Sequence, residues 1–335
     1  MKLFLSTIGA MLFAVNTIAQ QVPRTVIVEH FTNTYCSICA NKNPGFYTNL
    51  NNHPDVLHIA FHPSVPYDEC PFNQHNVTEN DERTKYYNIF SGTPRLVIQG
   101  TVISTSQDYS SASLFTPFTG QTSSFSMTCV LEQNPSKDSL VQNITITKKD
   151  ASSLTELNLY SAIVEETINF SAQNGEDVHY DVFRKSFVGA NPIKINLPAN
   201  VDESISYRYA VKYNTEWKGE ELKAIAILQH DDKTVEQSAE SSKIADFMLV
   251  LENDGKQSIF VSPTLFRDEI RVIRNDSLNN YEIKIHDVSG KLVYLSVITT
   301  NETRINTEQF YSGVYIINIT NPLNNETLVI KTVKK

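Results

Sequence analysis

The stretch VIVEHFTNTYCSIC, Val26–Cys39, decides how this chain is read. Thr25 to Phe31 (TVIVEHF) has the apolar, β-branched texture of a buried strand, and Cys39 to Leu50 reads as a short helix. Two cysteines, Cys36 and Cys39, therefore fall at a strand-to-helix turn with two residues between them. Such a pair can be a working redox couple, a metal clip or an inert staple.

A sulfur at the first turn of a helix meets unpaired backbone N–H groups and the positive end of the helix dipole, both of which favour a thiolate. Cys36 is expected there as an exposed nucleophile, with Cys39 a turn later as a buried thiol. One thiolate to attack and one thiol to resolve is the division of labour that disulfide exchange needs. The metal alternative draws on His58 and His62, because tetrahedral zinc takes two cysteines and two histidines. Four residues apart on one strand, these histidines are about 13 Å apart at ~3.3 Å per residue, too far for one ion. No metal is expected.

Working outward, Asp55 to Phe61 reads as a second strand, Glu79 to Ile89 as a polar helical insert and Arg95 to Gln99 as a third strand. Strands alternating with helices over residues 22–120 define an α/β unit. Residues 122–240 change texture to seven strand-like runs without helices between them. In ISYRYAVKY, residues Ile205, Tyr207, Tyr209, Val211 and Tyr213 take every second place, the period of a strand with one buried face. That pattern predicts a β-sandwich, with the tyrosines in its core rather than on a sugar-binding platform. Residues 241–259 read as a linker, and residues 260–335 as a second, smaller sandwich punctuated by the turns at Asp287–Gly290 and Ser312-Gly313.

Two parts of the first segment resemble the thioredoxin-like fold. One is VIVEHFTNTYCSIC, with Tyr35 where that family usually has Trp; the other is YNIFSGTPRLVIQG, Tyr87–Gly100, which is similar to the family segment that carries a cis-proline opposite the cysteine pair. The resemblance implies Cys36 as nucleophile, Cys39 as resolving thiol, and Thr93 and Pro94 as the backbone edge that holds a substrate chain. It also puts His30 where relatives carry a buried acid that takes the resolving cysteine's proton, although a strand histidine is equally a core residue. Glu29 points to the opposite face. The Ser37-Ile38 pair leaves the direction of electron flow open.

The middle segment, especially NGEDVHYDVFRKSF (Asn174–Phe187), resembles the outer membrane protein 28-related family, whose members join a thioredoxin-like unit to an immunoglobulin-like sandwich. The tail is similar to a type A C-terminal sorting domain of the type IX secretion system: FVSPTLFRDEIRV, DVSGKLVY, GVYIINI and the terminal LVIKTVKK carry the likeness. It implies handling by that secretion machinery. The fold class expected is thus an α/β thioredoxin-like domain followed by two all-β sandwich domains.

The 335 residues carry a net charge of −9 with both signs interspersed, which argues against nucleic acid as a partner. Residues 1–19 read as a signal peptide, with Lys2 followed by an apolar run from Leu3 to Val15. No later run is long enough for a transmembrane span, so the expected location is the outer-membrane surface or the medium, reached through the periplasm. In an oxidising compartment the remaining cysteines, Cys70 and Cys129, are expected to pair as a structural disulfide; the alternative makes Cys70 a shuttle thiol exchanging with Cys36 or Cys39. No GxSxG, HExxH or phosphate loop occurs, and no cofactor is expected. Two functions remain: a secreted thiol-disulfide exchange protein acting on protein thiols and disulfides, and a non-catalytic surface binding or adhesion protein whose Cys36–Cys39 bond is permanent.

Overall fold

The computed structural model describes residues 20–134, 137–244, 248–249, 259–262, 265–274, 280–300, 302–321 and 327–334. The expected signal peptide lies outside these residues, as does most of the expected linker. Strand β1 (Ile27–Phe31) is buried at every position, as befits a strand covered on both faces. Helix α1 (Ser37–Asn51) follows it, then β2 (Leu57–Phe61), the short α2 (Pro71–Gln74), α3 (Val77–Tyr86), β3 (Arg95–Ile98) and β4 (Thr101–Val102). β1 runs parallel to β2, from Ile27↔Leu57 to Phe31↔Phe61, and antiparallel to β3, from Val28↔Ile98 to Phe31↔Arg95.

The second segment supplies β5 (Phe125–Gln133), β6 (Ser139–Lys148), β7 (Glu156–Asn169), β8 (Val178–Ser186), β9 (Ile193–Asn196), β10 (Ser204–Lys212), β11 (Leu222–Gln229) and β12 (Val235–Glu240). All seven expected runs are strands, and β9 is an eighth. The two stretches expected as separate units share one nine-stranded sheet, ordered β12-β11-β7-β8-β2-β1-β3-β4 with β9 on β7. The join is a parallel pairing of β8 with β2 at Val182↔Ala60. It covers an edge of β2 that would otherwise present a row of unpaired backbone groups.

A three-stranded sheet, β10-β6-β5, packs over the β7–β11 end of the large sheet. Alternation on β7 serves both sides: Leu157, Leu159 and Ile163 join the sandwich core with Leu131, Ile144 and Ala226, whereas Tyr160, Ala162 and Val164 join Phe31, Phe61 and Ile227 on the opposite face. Tyr207, Tyr209, Val211 and Tyr213 pack against the sandwich core, as their spacing predicts. Under α1, Phe46 meets Val28, Leu96 and Ile98 in a further cluster. Gly100 shows how closely the two segments meet: at φ +82, a Cβ there would lie 1.9 Å from the Lys233 carbonyl oxygen in the β11–β12 turn.

The tail forms two sheets: Met248–Leu249, Ile259–Ser262, Glu269–Arg274 and Glu302–Asn306 in one, and Leu265–Phe266, Thr327–Lys334, Gly313–Thr320, Tyr281–Asp287 and Leu292–Ile298 in the other. Val261 and Ile270 from the first sheet pack with Ile283, Ile317 and Ile330 from the second, so the two sheets close on one apolar core. The Asp287–Gly290 turn works as its composition suggests. The Asp287 carboxylate accepts from the Ser289 and Lys291 N–H groups at 2.8 and 3.1 Å, and Gly290 takes φ +83.

Candidate functional site around Cys36 and Cys39

Cys36 is the N-cap of α1, and its sulfur accepts from the Cys39 N–H at 3.1 Å. The two cysteines form a disulfide with Cα atoms 5.2 Å apart. Cys39 is fully buried, as expected. Cys36 is not the exposed group expected: it is 3% exposed, while Ile38 between the cysteines is 57% exposed. Across from the pair, the Thr93 carbonyl oxygen lies 3.6 Å from the Cys36 sulfur, and the Thr93–Pro94 bond is cis. Strand β1, α1 and the start of β3 thus bring together Cys36, Cys39, Thr93 and Pro94 from two stretches far apart in the chain.

His30 lies in the core beneath α1. Its ring packs edge-on against Phe46 at 4.8 Å and Tyr47 at 5.9 Å, about two turns beyond Cys39 on α1, and lies 5.7 Å from the ring of His58 on β2. Burial, then the charges of His58 and His62, hold its pKa well below the usual histidine value. Burial does the same to His62, aided by His179 and Arg184. Burial thus favours the neutral form of both rings. His58 and His62 do not converge: His58 bonds Asp181 at 2.9 Å, and the His62 ring packs on Phe72 at 5.0 Å. Among the described residues no group of three or more His, Cys, Asp or Glu is placed to hold a metal ion.

A pH dependence follows from these two rings. In the unfolded chain they titrate near 6.5, and in the fold well below it. Below about pH 6.5 the unfolded state therefore binds protons that the folded state does not, and stability is lost as the pH falls. The loss is at most roughly 1.4 kcal/mol per pH unit for each ring. Urea midpoints measured at about pH 7.5 and about pH 5.5 are expected to drop accordingly; an unchanged midpoint would contradict neutral buried histidines.

The expected Cys70–Cys129 disulfide is corrected: both are buried free thiols in different cores. Cys70 caps α2, packs with Phe72, Ile168 and Val182, and accepts from the Thr34 hydroxyl at 3.1 Å. Cys129 faces the sandwich core, where Gln142 donates to its sulfur at 3.1 Å and burial pushes its pKa up to about 12. Enclosed in separate cores, the two sulfurs have no common space.

Two residues at the site were not anticipated. The hairpin between β7 and β8 lays its tip on the cysteine loop: the Asn174 N–H donates to the Thr34 carbonyl at 2.9 Å, and its side-chain amide donates to the carbonyls of Asn33 and Cys36 at 3.2 Å each. The Glu176 carboxylate accepts from that same amide at 2.6 Å and from Asn43, on α1, at 2.8 Å. Asn174-Gly175 between strand-like runs signals a hairpin. Where its tip lands depends on the β8–β2 pairing, for which the local pattern holds no signal.

On the opposite face of β1, Glu29 is buried and bonded by Arg83 at 2.6 and 2.8 Å and by the Tyr87 hydroxyl at 2.5 Å. Arg83 also reaches Gln229 on β11 at 3.0 Å and lies 3.9 Å over the Tyr160 ring on β7. Burial works to lower the Arg83 pKa, but Glu29, Tyr87 and Tyr160 together outweigh it and hold the guanidinium above its usual value.

Residues 263–335 match the secretion system C-terminal sorting domain family. The chain is thus one that the type IX secretion system sorts to the cell surface or out of the cell. Among the described residues no helix is long and apolar enough to cross a membrane. No curated protein sequence matches. Among solved structures, HBP35 of Porphyromonas gingivalis shares the fold over 93% of this chain and 98% of its own, at TM-score 0.55 and 14% identity. A DUF3244 family protein with an immunoglobulin-like β-sandwich fold from Bacteroides vulgatus is similar over 27% of this chain and 98% of its own, at TM-score 0.23 and 18% identity. A domain of the outer membrane lipoprotein Omp28 from P. gingivalis is similar over 37% of this chain and 92% of its own, at TM-score 0.25 and 12% identity.

Proposed function

We propose that this surface-sorted chain is a thiol-disulfide exchange protein whose first segment is a thioredoxin-like unit. The observation that carries the reading is the setting of Cys36: it caps a 15-residue helix, takes the Cys39 N–H on its sulfur and faces the Thr93 carbonyl across the site. The helix end favours a thiolate there once the pair is reduced. In the reducing direction, the Cys36 thiolate attacks one sulfur of a client disulfide, and the other client sulfur leaves as a thiolate and takes a proton. Cys39 then attacks the Cys36 sulfur, releasing the second client thiol and closing the Cys36–Cys39 disulfide. Two electrons pass to the client; the reverse sequence oxidises a client dithiol. Thr93 and Pro94 offer the backbone edge along which the client segment lies. His30, packed against Phe46 and Tyr47 beneath α1, enters this reading as a core residue rather than as the proton acceptor.

One observation favours the alternative, a non-catalytic surface protein with a permanent disulfide: the burial of Cys36. Partner trapping with Cys39→Ser tests between the two. Clients accumulate on Cys36 if the pair exchanges, and none do if it is a staple.

A further inference from the structure

The β7–β8 hairpin belongs to the second segment, yet its tip is hydrogen-bonded to the loop that carries Cys36. The Asn174 amide nitrogen bridges the Cys36 carbonyl, 3.2 Å away, and a Glu176 oxygen, 2.6 Å away. That oxygen is therefore no farther from the Cys36 carbonyl than the two bonds end to end. The other Glu176 oxygen is anchored on α1 through Asn43, four residues after Cys39. Asn43 in turn donates to the Thr32 hydroxyl at 2.9 Å, so hairpin, helix and loop are tied at one point. Glu176 is only partly buried, and both of its anchors are neutral amides, which orient a carboxylate without cancelling its charge.

We propose that Glu176 is a positioning residue for the cysteine pair: its carboxylate, fixed beside the start of α1, opposes the helix-end field at Cys36 and biases the pair toward the disulfide. This deepens, and rests on, the exchange reading above. A negative charge near a thiolate disfavours it. Since the thiolate belongs only to the reduced pair, the same charge disfavours reduction. Asn174 sets the distance over which that charge acts and holds the Asn33–Cys36 loop while the sulfur changes partners. The sandwich segment thereby tunes the chemistry of the first segment.

The test is the redox equilibrium of the full protein against glutathione, with Glu176→Gln compared with wild type. The variant keeps the length and an acceptor oxygen but loses the charge. It is expected to favour the reduced dithiol by about tenfold, equivalent to about 30 mV for a two-electron couple. Glu176→Ala, which places no amide against the two anchors, is the second variant should the first not fold, and is expected to shift the same way. Asp177→Asn, an equal charge change on an exposed neighbour in the same hairpin, is the control and should stay within about twofold of wild type. An unshifted Glu176→Gln, or an equal shift in Asp177→Asn, overturns the role given to Glu176. A Cys39→Ser protein that traps no client would overturn the exchange reading instead, and the difference between the Glu176 variants remains measurable in that case.

Discussion

Cys39→Ser is expected to turn the protein into a trap, with client proteins linked to Cys36 through a disulfide that survives non-reducing electrophoresis, while Cys36→Ser captures nothing. The asymmetry follows from the local structure. Only Cys36 has its sulfur at the end of α1, where the Cys39 N–H already points at it, and Cys39 is fully buried beneath. A thiolate at a helix N-terminus attacks and also leaves readily, so both steps at Cys36 are favoured by the same field. Removing the resolving thiol leaves the mixed disulfide with no internal route to release. Cys70 and Cys129 provide no substitute, because both sulfurs are enclosed in cores. Capture equal in both single variants, or in neither, would favour a permanent bond.

Arg83→Met is expected to be the most destabilising single substitution on the far side of β1. Arg83 is fully buried and gives two bonds to the buried Glu29 carboxylate, which would be left with only the Tyr87 hydroxyl. Breaking such a pair from one side costs about 3–5 kcal/mol, because a charge is stranded in the core. For a unit of this size that corresponds to a melting temperature lower by roughly 10 °C. The double variant Glu29→Leu, Arg83→Met removes both charges and should recover much of the loss. Thermal unfolding of the three proteins checks this; a single variant as stable as wild type would contradict the structural weight given to the Glu29–Arg83 pair. The cluster joins α3 and β1 to β7 and β11, so its loss should also loosen the contact between the segments.

The sequence made the elements legible because their signals are local. Period-two alternation in Ile205–Tyr213 marked a strand, the apolar run to Phe31 marked a buried one, and the cysteine pair landed at the head of a helix. The approach of Thr93–Pro94 to Cys36 was legible only through resemblance, since the two stretches lie far apart in the chain. Three features were not legible. The shared sheet depends on Val182↔Ala60, a pairing that requires no side-chain pattern beyond burial on both faces. Cys70 and Cys129 were expected to pair from compartment chemistry, which counts cysteines but is blind to which core each one faces. The hairpin tip on the cysteine loop is a consequence of that sheet, so Asn174 and Glu176 could be read as a turn but not as part of the site.

Disulfide exchange by Cys36 and Cys39 is read out by the reduction potential of the pair. Equilibration of the full protein with defined glutathione ratios, followed by alkylation and mass analysis of the Cys36–Cys39 peptide, gives the value. An exchanging pair is expected at a potential above about −300 mV, in the range where exchange proteins work, whereas a value below that, where structural disulfides lie, would contradict exchange.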